Sequence, residues 1–425
     1  MGETANPLRV EYAGDLEGLT VVRQAAPSGA ASCSLTYVGP AGWGYESAER
    51  AGIARLVNQL ATAAAGPYDR IALARRLDRV GATVSFQTAP ESAEVTLWGP
   101  ADEWEALLRV LAEMVLRPRF DPEDIERVRR QAFERSLRET TQPASRADKE
   151  LLRAIFPEGH PYRSTGIGEA TSLRRVRRAD LERFHRDHYS SGGALLVVTG
   201  PARASAVVAA ARGHFEEFGA RDAPKLRVPV VRPPGPRVER SIDLPGRAQV
   251  ELRMGGSSIA RGAPEYPAAY LANEVLGGRP LLSRLFQRVR ERGGLAYHAS
   301  SALEAMRFGG FWAAHAGTGA DRWRRVVPMV RSEIARIASQ TVPPAELNRI
   351  RESAIGQLPL LLESTSEAHE LAVDLAYHGL PSDYWITWPA TLRAISGRAV
   401  REAAATAIDP AGAVTVLAGP LRRRP

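Results

Sequence analysis

Two kinds of hydrophobic spacing alternate along the chain. The stretches LEGLTVVRQ (16–24) and ASCSLTYVGP (31–40) alternate apolar and polar positions, which predicts half-buried strands. AGIARLVNQLATAA (51–64) and DRIALARRLDRVG (69–81) repeat their apolar residues every three to four positions and read as helices, the second with Gly81 as its C-cap. ATVSFQTAPESAEVTLWG (82–99) predicts a hairpin. Three helical stretches follow, then the strand GALLVVTGP (193–201). Strands, then helices, then a closing strand predict an α+β sandwich, an antiparallel-type sheet with helices packed on one face.

The pattern then recurs. GAVTVLAGP (412–420) shares five of nine residues with GALLVVTGP (193–201), at an offset of 219. ADEWEALLRVLAEMV at 101 and ADRWRRVVPMVRSEI at 320 keep that offset, as do TSLRRVRRADLERF at 171 and ATLRAISGRAVREA at 390. PEDIERVRRQA (122–132) and PAELNRIRESA (344–354) match at a slightly larger offset, so a small insertion lies between. Three blocks at one offset identify a duplication. The halves are expected over 1–221 and 240–425. Between them DAPKLRVPVVRPPGPRVE (222–239), with five prolines, reads as an extended linker.

Composition adds exclusions. The net charge is +8, and all but two of the 56 basic residues are Arg. They are spread along the chain among Asp and Glu, with no nucleic-acid-binding motif, so nucleic acid is not an expected partner. The first residues lack the basic-then-apolar pattern of a signal peptide, and no apolar run is long enough to span a bilayer. Neither a membrane nor secretion is expected, and the chain reads as cytoplasmic. Cys33, the single cysteine, lies in an apolar strand and reads as a buried, inert thiol. Of the eight histidines only His185 and His188 are close in sequence, and no local set of three metal ligands forms around them.

GLTVVRQ, the hairpin following LARRLDRVGATVSF, VLRPRFDP, and above all YLANEVLGG with SRLFQRVRERGGLAY occur in the order found in the M16 peptidases, the insulinase and mitochondrial-processing-peptidase family. The chain resembles that family over nearly its whole length. The resemblance implies two α+β halves facing each other as a clamshell, acting on extended peptides held between them. In the family one half carries zinc on a helix with His-x-x-Glu-His, where the Glu is the general base. In GIARLVNQLA (52–61) those positions fall on Arg55, Asn58 and Gln59. A guanidinium offers no lone pair, an amide cannot act as the base, and Gln59 is at best a weak oxygen ligand. The third-ligand position falls near Glu134 or Arg135, and Glu134 alone would not hold zinc. The resemblance therefore implies a chain with no metal of its own, in which Arg55 fills the old zinc position as a paired cation.

The second half carries an Arg and a Tyr seven positions apart, Arg290 and Tyr297, in LFQRVRERGGLAYHASS (285–301). Read from the residues alone, Arg290 complements a helix C-terminus stopped by Gly293-Gly294, and Tyr297 is a strand aromatic. The resemblance gives them another meaning: in the family such a pair reaches the zinc, the Tyr stabilising the oxyanion and the Arg holding the substrate backbone. In its bacterial branch one subunit brings zinc and a sister subunit brings the pair. The resemblance thus implies a zinc-lacking subunit of a heterodimeric peptidase. Its partners would be a zinc-bearing sister with His-x-x-Glu-His and peptide substrates, with Zn2+ in that sister only. Homodimerisation of the isolated chain stays open. The alternative is a scaffold or assembly protein of the same fold with no peptidase role. Gly277-Gly278 lies where some relatives carry a glycine-rich substrate loop, and a tight turn explains it equally well.

Overall fold

The computed structural model describes residues 6–219, 222–231 and 238–421; of the expected linker, 232–237 lie outside the described residues. The strands are β1 (Val10–Leu16), β2 (Leu19–Ala25), β3 (Ser32–Gly39), β4 (Thr83–Thr88), β5 (Ala93–Pro100), β6 (Ala194–Gly200), β7 (Glu239–Asp243), β8 (Gln249–Ser258), β9 (Ala296–Met306), β10 (Gly309–Gly319) and β11 (Val414–Gly419). They form two sheets. The first has the order β1-β2-β6-β3-β5-β4, the second β7-β11-β8-β10-β9. Pairing is antiparallel except for one parallel pair in each, β2 with β6 and β7 with β11. In both cases the partner is the repeated strand that closes its half, GALLVVTGP or GAVTVLAGP.

The chain divides into two compact α+β units. Unit one comprises Met1–Leu137, Thr165–Arg227 and Leu358–Thr387; unit two comprises Arg138–Ser164, Val228–Gln357 and Trp388–Pro425. The units therefore differ from the continuous halves 1–221 and 240–425. Each takes a helical segment from the other half of the sequence.

The reason lies in how the sheets are covered. In unit one, the helices Ile53–Ala61, Trp104–Leu116 and Ala204–Phe215 pack on one face, over Val21, Leu35, Leu196 and Val198. The residues between these, Val22 and Val197, point the other way and are fully buried. They pack against Ala372, Leu375 and Ala376 of the helix Thr365–Tyr377. In unit two, the helices Trp323–Ser339 and Gly397–Ala407 pack on β8 or β10, while the helix Pro143–Ile155 lies on β8 and β11. Its Ala147, Leu151 and Ile155 meet Ala313, Val414, Val416 and Ala418. The expected one-sided layer is thus joined by one further helix on the opposite face of each sheet. Strand positions 22, 197, 313 and 416 are apolar on faces that alternation alone would leave to solvent.

A buried polar hook fixes each of these helices. His369 sits between Thr36 Oγ1 (2.7 Å from Nε2) and Thr199 Oγ1 (2.8 Å from Nδ1). Thr199 donates its proton to Gln24 Oε1, so its oxygen accepts from Nδ1–H, and Nε2 accepts from Thr36. His369 is therefore neutral, and burial lowers its pKa from 6.5 to about 3. In unit two, Arg253 Nε donates to Asp148 Oδ1 at 2.5 Å. Cys33 is buried, and burial pushes its thiol up to about 11, as expected of an inert cysteine.

Two outcomes follow. Separately produced pieces 1–227 and 228–425 each lack one covering helix, and losing it exposes valines whose burial is worth about 1.5–3 kcal/mol apiece. Each piece alone should show poor hydrogen-exchange protection, and mixing should restore it; cooperative folding of either piece alone would remove the need for the exchange. His369 also gives a pH signature. Its folded pKa lies below the unfolded one, so its penalty is absent above pH 6.5 and grows as the unfolded state takes up a proton below it. Between pH 7 and 5 that penalty reaches about 2 kcal/mol. His369→Gln should be the less stable protein at pH 7 in urea titrations, with the gap to wild type narrowing by about that amount at pH 5.

Candidate functional site

The helix Ile53–Ala61 begins at Gly52, whose φ of 97° is left-handed. A Cβ there would lie 2.9 Å from Leu173 Cδ2 and 3.0 Å from the Gly168 backbone, so only glycine fits. The Glu46 carboxylate accepts from the N–H groups of Gly52 (2.8 Å) and Ala54 (2.7 Å). It closes the helix start in place of the usual N-cap side chain. Burial pushes its pKa up to about 8, against the lowering by those two N–H groups.

Along this helix the three zinc-motif positions each have a different occupation. Asn58 is fully buried, with its Nδ2 within reach of the carbonyl oxygens of Gln87 (2.7 Å) and Glu94 (3.1 Å) and of Thr88 Oγ1 (3.2 Å). It ties the helix to the β4–β5 hairpin. Gln59 donates to Gln131 Oε1 at 2.8 Å. Arg55 lies over the Phe86 ring, 5.7 Å from its centroid. Its pKa is lowered by burial and by the nearby Arg135 charge. Among the described residues it makes no ion pair and its Nε is buried without a hydrogen-bond partner, so the expected paired cation is corrected: the aromatic face of Phe86 holds this guanidinium. The position near the third ligand adds a second cation, Arg135, to the first. These residues do not fit a zinc ion. Among the described residues no group of three His, Cys, Asp or Glu side chains could hold a metal. His185 and His188 are occupied locally. His185 Nε2 lies 2.8 Å from the Val115 carbonyl, and His188 packs on Phe184 and Tyr45.

In unit two the sequence predicts one helix through 280–292. The backbone instead turns at 279–283 and then winds as a π-helix over Phe286–Glu291, after an earlier π turn at Glu274–Gly278. Such turns accommodate an extra residue, as at many functional sites. Gly277 is there for contact: a Cβ would lie 2.3 Å from the Ser301 backbone nitrogen of β9. Gly294, at φ 59°, ends the second helix and donates to the Arg290 carbonyl at 3.0 Å. Neighbouring arginines anchor this helix. Arg284 makes a bidentate pair with Glu346 at 2.8 Å, and Arg288 pairs with the fully buried Glu333. Arg290 is exposed, lies over the Phe286 ring at 5.0 Å, and makes no ion pair among the described residues.

Tyr297 is the second residue of β9, the edge strand of its sheet. Gly317 on β10 pairs with His298 and Thr318 with Ala296, so Tyr297 is the extra residue of a β-bulge. It is 63% exposed. The bulge, the π turns and the Glu46 cap carried no signal in the sequence. They depend on ladder register and on contacts far apart in the chain.

Comparison with known proteins identifies the family and the fold. The description "Insulinase (Peptidase family M16)" matches residues 20–165, and "Peptidase M16 inactive domain" matches residues 175–354. An uncharacterized zinc protease of Mycobacterium tuberculosis is 28% identical over 353 residues, 82% of this chain and 79% of that protein. The mitochondrial-processing peptidase subunit beta of Caenorhabditis elegans is 23% identical over 237 residues, 56% of this chain and 51% of that protein. The crystal structure of a peptidase M16 inactive domain from Pseudomonas fluorescens superposes with a TM-score of 0.91 at 22% identity, covering 98% of this chain and 99% of the other. A Helicobacter pylori protease gives a TM-score of 0.88 at 17% identity, over 96% and 99%.

Asn58 gives the test of this helix. Asn58→Ala removes the fully buried amide that donates to the Gln87 and Glu94 carbonyls and should lower stability by about 1–3 kcal/mol in urea titrations. Asn58→Asp, which places a carboxylate against those carbonyls, should be worse at pH 7. Equal stability of the Asp variant and wild type would show that the amide does not tie the hairpin.

Proposed function

The chain belongs to the M16 peptidase family, and we propose that it acts there as a zinc-lacking subunit of a two-subunit peptidase. In this reading a sister subunit with His-x-x-Glu-His holds Zn2+, which polarises the scissile carbonyl and activates water when bound. This chain contributes Arg290 and Tyr297 to that site. The observation that carries the reading is their condition. Among the described residues Arg290 makes no ion pair while Arg284 and Arg288 beside it are both paired, and the Tyr297 ring is exposed on a bulged edge strand. An aromatic and a cation with no structural duty, mounted on packed elements, suit a ligand more than a scaffold.

The chemistry assigned to each follows from its atoms. The Tyr297 O–H donates a hydrogen bond to the oxygen that gains charge as water attacks the peptide carbonyl. The Arg290 guanidinium holds a backbone carbonyl or carboxylate of the peptide and fixes its register. The outer edge of β9 offers unpaired backbone groups to an extended chain, a recognition mode that selects peptides over folded proteins. The replaced helix positions Arg55, Asn58 and Gln59 leave the base and the metal to the sister.

No helix among the described residues is long and apolar enough to cross a membrane. We place the complex in the cytoplasm, where the buried, unpaired Cys33 meets a reducing environment.

The experiment is hydrolysis of a quenched-fluorescent peptide by the zinc-bearing sister protein of the same organism, with and without this chain, and with zinc measured on every sample. The mixture should cut far faster than the sister alone, with zinc confined to the sister. Tyr297→Phe, by removing one oxyanion donor, should lower kcat about a hundredfold. Arg290→Ala should act mainly through KM. A chain that never stimulates the sister, or a double variant as active as wild type, moves the scaffold reading to the front. Stoichiometric zinc in this chain would overturn the assignment of a lost site.

A further inference from the structure

A line of charged side chains that the proposed chemistry does not use ends at His298, the residue after Tyr297. Glu251 and Arg253 stand two residues apart on β8, on the face covered by the helix Pro143–Ile155. Asp148 of that helix holds Arg253 Nε at 2.5 Å, and Arg253 Nη1 in turn donates to Glu251 Oε2 at 2.9 Å. The same Oε2 faces His298 Nε2 at 3.4 Å. Glu251 and Arg253 are nearly inaccessible to water. Burial raises the Glu251 pKa, yet the contacts from His298 and Arg253 outweigh it and leave the carboxyl ionised. Two further titratable groups stand on this face: His315, opposite Arg253 on β10, which burial together with the Arg253 charge lowers to about 4, and Glu304, opposite Phe311, which burial raises. Nothing in this row competes with His298 for the free side of Glu251.

The room for that contact is made by one residue. A Cβ at Gly317 would lie 2.3 Å from His298 Cε1, 2.7 Å from its Nδ1 and 2.9 Å from Glu251 Oε1. The imidazole thus occupies the space a side chain at 317 would take. Gly317 is also the residue at which the register slips to admit Tyr297. A bulged residue has no ladder partner of its own, and among the described residues no further strand pairs with β9 on its outer side. The backbone at 297 is held only through the residues that flank it. On one side Thr318 Oγ1 donates to the Leu295 carbonyl at 2.5 Å. On the other side the anchor is His298. Were that anchor lost, the extra residue could move along the strand, and a one-residue slip turns the aromatic to the opposite face.

We infer that His298 is the positioning residue for Tyr297: the Asp148–Arg253–Glu251 row clamps its ring in the space left by Gly317 and so fixes the bulge that presents the tyrosine. The role of that presentation in peptide cleavage rests on the function proposed above. The positional claim stands on the isolated chain.

The two are tested separately. 3-Fluorotyrosine placed at position 297 of the full chain reports the ring environment by 19F NMR without any partner. Wild type should give one narrow resonance. His298→Ala should move or split it. Gly317→Ala, which pushes the imidazole out, should do the same, and the double variant should look like His298→Ala alone. His298→Gln, whose amide nitrogen can reach Glu251, should restore the single line. A merely structural role predicts otherwise: a lower Tm in His298→Ala with the resonance unchanged, and additive losses in the double variant. Either result overturns the inference. In the peptidase mixture, His298→Ala should lower kcat about tenfold with KM little changed, the scale expected of a catalytic group displaced by less than 1 Å. If Tyr297→Phe is silent there while the 19F pattern holds, the functional reading fails and the positional one survives. If Tyr297→Phe is damaging and His298→Ala is not, the inference fails and the function survives.

Discussion

Each sheet of this protein has two apolar faces, and the second can be buried only by a helix from the other half of the sequence. The fold depends on that constraint. The fully buried Val22 and Val197 of unit one are covered by the Thr365–Tyr377 helix, and the strand face bearing Ala313 and Val416 in unit two by the Pro143–Ile155 helix. Apolar burial supplies the larger share of the energy, being proportional to area, but it does not choose a register. The polar hooks do. His369 fits only where Thr36 and Thr199 stand on adjacent strands, and Asp148 only where Arg253 emerges. A helix one turn out of place would bury each of these groups without a partner.

The same economy explains what holds the helix Ile53–Ala61 in place. Its ends and inner face are secured by contacts that do not involve the metal positions: Glu46 at the start, and Ile53, Leu56, Val57 and Leu60 in the core. At the three changed positions the side chains were free to take local partners, carbonyls of the hairpin for Asn58, a glutamine for Gln59, an aromatic face for Arg55. The expectation that Arg55 would find a counter-charge failed because a nearby residue, Arg135, carries the same sign.

The duplication, the two sheets and the family were legible because they rest on periodicity and on short blocks repeated at fixed offset. The stop at Gly294 was legible for a similar reason, since a left-handed residue after a helix has few alternatives to glycine. The placement of Arg290 and Tyr297 was legible only as a pair of residue types. What makes them distinctive, a π-wound helix and a bulge, is set by hydrogen-bond register between elements. The strand pattern LAYHASSALE is the same with the bulge or without it. The exchange of helices was hidden for a related reason: amphipathicity shows that a helix has a buried face, not which sheet lies beneath it.

The exchanged helix also places a clock on the protein's synthesis. Unit one is interrupted after Arg227 and resumes at Leu358, closing only at Thr387. The 160 residues from 227 to 387 take roughly 10–30 seconds to add at ordinary elongation rates. Throughout that interval the first sheet has Val22 and Val197 uncovered, although every one of its strands has already been synthesised. A chain built this way carries an uncovered apolar sheet face through much of its synthesis, and the elongation rate across the second half sets how long that exposure lasts.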